Sequence, residues 1–274
     1  MTAMRILQQI KQARIIISTA WQRSLTYRFT VVMYRIGEMT EVVVLILMWS
    51  AIYASGGGTI QGFTLNEMIT YVLIGNLCAV AVRNFLPGFI ATDINNGKLS
   101  MFLVKPISYV RFIFLHELGR VSLATVVSLV SQALIIIFFF DKIVINMDPR
   151  YLVLIVTMVF CAFVIELLLG FLIGTIAFWT EDVDGIYVTL DRVKRFFAGG
   201  YFPLTLLPAA LATVSTYLPF QYSFFAPASL YLKKMDLHQG LQGVMIQVIW
   251  IVLLSCILYI VWKRGLRRYE ATGS

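Results

Sequence analysis

The sequence predicts an all-α membrane protein with six transmembrane helices. Of its 274 residues, 59% are apolar and only 13% are charged, whereas soluble domains contain about 25% charged residues. Its mean hydropathy of +0.84 is high for a water-soluble chain. A spanning helix needs about 20 mostly apolar residues, so this length accommodates roughly six spans with short connections. The composition excludes a disordered protein, a coiled coil and an ordinary cytosolic enzyme.

The N-terminal segment is basic and contains no acidic residue before Glu38. Ile6, Leu7, Ile10 and Ile17 recur at roughly helical spacing between the basic residues. This pattern predicts an amphipathic interfacial helix over 1–30 on the cytoplasmic leaflet, because basic side chains are attracted to anionic lipid headgroups. A basic flank without regular structure is the alternative interpretation.

Uncharged runs define most of the predicted spans, and the fifth is the exception because it begins among charged residues. Both termini are basic, which predicts that both are cytoplasmic and that the number of crossings is even. Four prolines interrupt the segment after the fifth span, and proline does not suit a straight helix. This segment, 203–235, is therefore predicted to be re-entrant on the outer side. The predicted spans are 36–55, 68–86, 113–140, 151–178, 183–202 and 241–262.

No motif of a catalytic or nucleotide-binding site is present in the sequence. The phosphate-loop pattern GxxxxGK[ST] fails around Gly97 and Lys98, and no GxSxG elbow occurs. His116 and Glu117 begin a zinc-protease motif, but Arg120 stands where its second histidine is required. We therefore expect no catalytic residue, no metal site and no cofactor in this chain. The net charge of +8 is attributed to membrane topology, so we expect no nucleic-acid partner.

Glu166 lies in the middle of the fourth predicted span. A charge at such depth costs a few kcal/mol, so it is by default a functional candidate. It would line a pathway or carry a proton, or else it would form a structural hydrogen bond between helices. The charged run 191–195 either binds an anionic substrate or pairs locally. Phe196, Phe197 and Phe202 are candidates for the lining of a hydrophobic route.

The connection over 87–110, between the second and third spans, is the most informative segment. Leu99, Phe102 and Leu103 follow i, i+3, i+4 spacing, and Pro106 ends the run. A short amphipathic helix here would dock into a groove on a partner, or it would rest against the lipid headgroups.

Two segments resemble the permeases of type-2 ATP-binding-cassette (ABC) exporters, and in particular a bacterial subfamily of uncharacterised transport systems. The first is Gly97-x-Leu99 followed by Leu103-x-Lys105-Pro106. The second is the run 197–204 followed by Leu207-Pro208, where such permeases turn from span five into re-entrant outer helices. The resemblance extends over nearly the whole chain and implies a single exporter transmembrane domain over 1–274.

This resemblance implies a permease subunit of an ATP-driven exporter in the bacterial inner membrane. Two copies of a separate ABC ATPase would bind ATP and Mg, and the permease would form a homodimer or a heterodimer with a sister permease. A coupling helix within 87–110 would enter the ATPase, with a second contact near Asp182. The implied coupling residues are Asp93, Asn95, Gly97, Lys98, Leu99, Phe102, Lys105, Pro106, Glu181 and Asp182. The implied pathway and gate residues are Glu166, Phe196, Phe197, Phe202, Pro203 and Pro208.

Other functional classes remain open at this point. An ion-coupled secondary transporter would use Glu166 as its coupling site and would need no ATPase. A lipid-modifying enzyme is disfavoured because polar constellations are missing, and nothing in the sequence excludes a membrane scaffold.

Overall fold

A computed structural model of the chain describes residues 2–56, 58–103, 107–180 and 182–272. Within these ranges the chain forms eleven α-helices, linked by turns and short 3-10 segments, and no β-strand. The prediction of an all-α fold is confirmed. The helices are α1 (Thr2–Thr26), α2 (Arg28–Gly56), α3 (Leu65–Val82), α4 (Leu86–Asn95), α5 (Ser100–Leu103), α6 (Tyr109–Phe138), α7 (Pro149–Thr175), α8 (Asp184–Phe197), α9 (Ala209–Tyr217), α10 (Phe225–Tyr231) and α11 (Leu237–Thr272).

Four helical segments of the described ranges are long and apolar enough to cross a membrane. They contain or largely overlap the second, third, fourth and sixth predicted spans. The first predicted span lies in α2 and the fifth overlaps α8, which has 14 residues and is about 21 Å long. Neither is among the four, so the count of six stays a prediction. The four segments are Leu65–Asn95, Tyr109–Phe138, Pro149–Phe178 and Leu237–Tyr269.

The bundle is built around α7. Helix α11 and the α3–α4 pair pack along α7 and run in the same direction as α7. Glycines let these helices approach closely, as is typical of helix contacts in membranes. At Gly243 of α11, an added Cβ atom would lie 2.9 Å from the Tyr222 ring and 3.2 Å from Met158 of α7. At Gly174 of α7, it would lie 2.7 Å from Ile90 of α4. The apolar core therefore depends on small residues as much as on large ones.

One end of the bundle, which we call the Asn146 end, is closed by polar contacts between loops. The Asn146 side-chain amide donates to the Tyr231 carbonyl at 2.7 Å. Lys234 donates to the Gly62 carbonyl at 2.7 Å and forms an ion pair with Glu67 at 2.6 Å. These contacts join the loops before α3, α7 and α11.

Asp148 caps the N-terminus of α7 and accepts a hydrogen bond from the Arg150 backbone N–H. The Arg150 guanidinium also donates to this carboxylate, which holds the pKa of Asp148 below its usual value. Pro149 occupies the first turn, where no backbone N–H is required. Together these residues fix the start of α7.

At the opposite end, which we call the Asn96 end, the chain turns between α4 and α6 and between α7 and α8. The segment predicted as the loop 87–110 is helical as far as Asn95, contains the short helix α5, and is helical again from Tyr109. Gly97 adopts a positive φ of 70° and would bring a Cβ atom within 3.8 Å of the Tyr269 hydroxyl. The α4–α6 connection thus lies beside the last turns of α11.

The proline-interrupted segment after α8 folds back onto the bundle. The Phe225 N–H donates to the Ala198 carbonyl at 3.0 Å, so the chain returns to the point at which it left α8. Gly199 makes this turn with φ of 79°, and its carbonyl accepts a 2.6 Å hydrogen bond from the Tyr71 hydroxyl. Tyr222 is buried against Met158, nine residues into α7. The re-entrant placement of this segment in a bilayer stays a prediction.

The N-terminal helix α1 packs against α6 through Gly119, Ala20 and Trp21. The indole N–H of Trp21 donates to the Ser122 hydroxyl at 3.0 Å. Ala20 is only 1% exposed. One face of the predicted interfacial helix is therefore covered by protein.

We expect Gly119→Val to separate α1 from α6 and to lower the stability of the fold. A Cβ atom at Gly119 would lie 2.9 Å from the Ile17 carbonyl oxygen and 3.0 Å from the Ala20 Cβ. Overpacking of this kind costs about 1–3 kcal/mol. Gly37→Val in α2 is the matched control, because that position has no neighbouring atom within 4 Å. Thermal unfolding in mild detergent measures both variants, and equal melting temperatures would contradict the assigned contact.

Candidate functional site

The central feature of the bundle is a break between α3 and α4 at residues 83–85. Pro87 enforces it, because proline lacks a backbone N–H and its ring clashes with the preceding helical turn. A break frees backbone N–H and C=O groups, and in a water-poor interior each of them must find a partner.

Side chains from α6 and α8 supply most of these partners. The Arg120 guanidinium donates to the Arg83 carbonyl. The Tyr187 hydroxyl donates to the Asn84 carbonyl. The Glu117 carboxylate accepts from the backbone N–H of Phe85. The distances are 2.8 Å for Arg120 to Arg83 O, 3.0 Å for Tyr187 to Asn84 O and 3.3 Å for Phe85 N to Glu117.

Ion pairs hold these partner side chains in place. Glu117 is fully buried and accepts from Arg120 at 2.6 Å. On the other side of the break, Glu38 of α2 accepts from both Arg83 and Arg35, each at 3.0 Å. Burying a charge is tolerated when it is paired and hydrogen-bonded. The break is therefore surrounded by charges that partly compensate one another.

A second set of ion pairs attaches α8 to the bundle. Lys194 donates to the Glu166 carboxylate of α7 at 2.7 Å, and both side chains are mostly buried. Arg195 forms an ion pair with Glu41 of α2, and its guanidinium lies 5.1 Å from the ring centre of Tyr201. The candidate Glu166 is thus engaged between two helices, and this favours the interhelical interpretation over a free proton carrier.

Between α2 and α8 lies an open groove of about 630 Å³. Charged and aromatic side chains alternate along its walls, so it presents both polar and apolar surface. The groove is continuous with the ion pairs of the break through Glu38 and Arg83. Its charged and aromatic lining residues are Phe29, Tyr34, Glu38, Glu41, Arg83, Phe85, Tyr187, Asp191, Arg192 and Arg195.

A second groove, of about 510 Å³, opens at the Asn96 end between α4 and the turn before α8. It brings together Asn95 and Asp182, two predicted coupling residues that lie far apart in the sequence. Thr92 and Asp184 also line it and are exposed. A surface built from two connections at one end of a helical bundle is suited to contact a partner protein.

Comparison with known proteins identifies the family. The sequence profile described as ABC-2 family transporter protein matches residues 39–273, which is most of the chain. The chain belongs to the ABC-2 transporter family. It is therefore a multi-pass membrane permease of an ABC transporter, a transport component that is not itself catalytic and that implies partnership with an ABC ATPase. No curated protein matches the chain in a sequence comparison.

The predicted coupling residues of the permease fall into four groups in the structure, of which the fourth is the apolar pair Leu99 and Phe102. Asn95, Gly97, Lys98 and Asp182 are exposed at the Asn96 end. Asp93 is half-buried and accepts a 3.0 Å hydrogen bond from the Tyr109 hydroxyl. Three further predicted coupling residues lie outside the described residues, namely Lys105, Pro106 and Glu181.

Two residues of the predicted apolar stripe, Leu99 and Phe102, face the permease itself. Leu99 is 1% exposed and belongs to the apolar core. The Phe102 ring lies 5.0 Å from both Tyr109 and Phe112, so it packs among aromatic side chains. The physical reason is that Tyr109 in turn stacks on Trp262 of α11 at 5.7 Å, which provides an apolar surface within the chain. Among the described residues of this segment, the surface left for a partner is polar apart from Met101, which is 50% exposed.

The predicted gate residues of the permease surround the turn after α8. Phe196 contacts Phe197 and Phe202, with ring centres 5.3 and 5.6 Å apart. All three rings are half-buried, whereas Pro203 is buried and Pro208 is exposed. The aromatic residues are thus brought together, but Pro208 lies away from them on the segment that leads into α9.

Sequence reasoning missed the helix break and the charges that stabilise it. Arg83 and Arg120 appear in the sequence as ordinary basic loop residues, and Glu117 as part of a failed motif. The available signal was Pro87. It stands three residues after Asn84, and Arg83 and Asn84 end a mostly apolar run. That signal indicates a break but does not identify its partners.

We expect Glu166→Gln and Lys194→Met each to destabilise the permease, because removing one partner leaves the other charge buried and unpaired. Breaking a buried pair in this way costs about 3 kcal/mol or more. In the double variant neither charge remains, so much of the loss should be recovered. Asp191→Asn is the matched control, since its carboxylate is 42% exposed and lies 3.9 Å from Lys194; exposed pairs contribute about 0–1 kcal/mol. Thermal unfolding of the four variants measures the coupling between Glu166 and Lys194. If the losses of stability in the two single variants simply add in the double variant, the assigned ion pair is contradicted.

Proposed function

We propose that the permease is the transmembrane subunit of an ATP-driven exporter and works with a separate nucleotide-binding ATPase. The observation that carries this proposal is the groove at the Asn96 end, where Asn95 of α4 and Asp182 of the α7–α8 turn meet. The sequence contains no phosphate-loop motif, so ATP-driven work requires a second protein. Two ATPase copies would bind below two permease copies, in a homodimer or with a sister permease.

The proposed mechanism is alternating access. Closure of the ATPase dimer on ATP would displace the walls of the Asn96-end groove, which belong to α4 and to the start of α8. Rigid-body rocking of packed helices is a common way to convert such a displacement into a change of access. The chain itself would hold no cofactor, and ATP and Mg would be bound by the partner.

The groove between α2 and α8 is our candidate for the permease side of the pathway. Its lining of arginines, carboxylates and aromatic rings suits a substrate that has both polar and apolar parts. The exposed apolar residues of α8, such as Val188 at 53% and Val193 at 44%, lie on the same helix. A second permease packed against this helix would close the groove and cover those side chains.

The topology that we propose has the Asn96 end and both termini in the cytoplasm of a bacterial cell. The chain passes from the Asn96 end to the Asn146 end in α2, in α6 and in the segment from α8 to α10. It returns through α3 and α4, through α7 and through α11. This course supports six crossings, and the contact of Gly97 with Tyr269 supports a cytoplasmic C-terminus.

We expect substitutions in the Asn96-end groove to abolish association with the ATPase. Thr92→Trp would fill the groove, and Asp182→Lys would reverse the charge on its rim. Asp141→Lys is the matched control, because Asp141 is equally exposed but lies at the Asn146 end. Co-purification of the ATPase with tagged permease, normalised to permease yield, is the measurement. Undiminished ATPase recovery with both groove variants would refute the proposed contact.

We expect impermeant maleimide to label the two ends of the permease from opposite sides. In a background without Cys78, Cys161 and Cys256, Lys142→Cys should react in intact cells. Ser100→Cys should react only after permeabilisation, because it is exposed at the Asn96 end. The reverse pattern would invert the topology and would exclude a cytoplasmic ATPase from this groove.

A further inference from the structure

A lateral cavity lies between α1, α2, α6 and the α3–α4 break, and it shares part of its lining, including Glu38 and Arg83, with the α2–α8 groove. Its volume is about 390 Å³, within the range of cavities that bind small ligands. Ala20 and Ser24 of α1 form one wall, and Leu123 and Ala124 of α6 form another. Tyr27, at the junction of α1 and α2, is 62% exposed at its rim. The cavity is therefore open sideways, toward the surroundings of the bundle.

The cavity carries an excess of positive charge. Its only acidic lining residue among the described residues is Glu38, which Arg35 and Arg83 share. Glu117, just behind the wall, pairs with Arg120. The fourth arginine, Arg23, contacts no carboxylate among the described residues; its guanidinium lies 6.0 Å from the ring centre of Phe89. Four arginines thus face two carboxylates, so the cavity is complementary to an anion.

Polarity changes in one direction along the α3 and α6 walls of the cavity, where Val80 lies deeper than Arg83; on α2, Arg35 and Glu38 lie deeper than Thr30 and Val31. On α6, His116 and Arg120 line the part nearer the Asn96 end, and Leu123 and Ala124 line the part nearer the bundle centre. This change occurs over eight residues, about 12 Å of helix. A glycerophospholipid has the same gradient, with a charged headgroup at the interface and acyl chains toward the bilayer centre. A soluble anion would leave the apolar part of the cavity unfilled.

We propose that this cavity is a binding site for one anionic glycerophospholipid. The phosphate contacts Arg23 and the adjacent basic face of α6, and one acyl chain occupies the apolar part beside Ala124. Basic pockets between transmembrane helices on the cytoplasmic side are suited to anionic headgroups. The bound lipid would connect α1 to α2 and α6 near the junction at Tyr27. This proposal does not depend on the ATPase or on the direction of transport.

The test measures lipid binding to the purified full-length permease by native mass spectrometry. The probes are phosphatidylglycerol and phosphatidylcholine with identical acyl chains. We expect phosphatidylglycerol to bind more tightly, and Arg23→Gln to weaken it about fivefold, as expected for one basic group near an anionic lipid. Arg14→Gln is the matched control, since Arg14 is exposed on the same helix and does not line the cavity. Arg23→Lys should retain most of the affinity.

Two further measurements test the acyl chain. Ala124→Trp and Leu123→Trp each fill the apolar part from α6; at least one folded variant of the two should lose phosphatidylglycerol binding. Equal affinity for the two lipids, or equal effects of Arg23→Gln and Arg14→Gln, would overturn the proposal. Displacement of the lipid by millimolar inorganic phosphate, or full binding in every folded Trp variant, would show a simple anion site instead and would also overturn it.

Discussion

The break between α3 and α4 imposes the requirement on which the rest of this permease depends. Three residues leave the helical hydrogen-bond pattern inside the bundle, and their backbone groups cannot rely on water. Arg120 and Tyr187 donate to two of the freed carbonyls, and Glu117 accepts from a freed N–H. Since these side chains belong to α6 and α8, a local consequence of Pro87 fixes how three separate parts of the chain are assembled.

The charges around the break lie at a common depth. Glu38 is 18 residues from the end of α2, and Arg83 is 18 residues from the start of α3. Glu166 is 17 residues from the start of α7. At about 1.5 Å per residue these separations are near 27 Å, close to the roughly 30 Å thickness of a bilayer core. If one edge of the bilayer core lies at the Asn146 end, Glu38, Arg83 and Glu166 all lie at the other edge, where charged side chains are tolerated. In that placement α7 extends beyond the second edge.

This geometry explains which features the sequence could predict. Helical content, the long apolar helices and the family follow from local composition and from motifs such as Gly97-x-Leu99. The role of Glu166 does not. Hydropathy counts its position within an uncharged run, and it cannot detect that Lys194 of α8 lies opposite the Glu166 carboxylate. Leu99 was expected to face a partner because its spacing is amphipathic, but spacing does not indicate which apolar surface covers a stripe. Here an aromatic cluster around Tyr109 covers it.

The way in which α8 is attached indicates which element moves most readily. In the described structure α8 has no buried residue, and it is held by Tyr187, Lys194 and Arg195 through hydrogen bonds and ion pairs. Elements with few buried apolar contacts open at low free energy. In contrast, α11 is packed against α7 along its length through glycine contacts. Relative motion of α8 therefore breaks mainly polar contacts, whereas motion of α11 would open the apolar core.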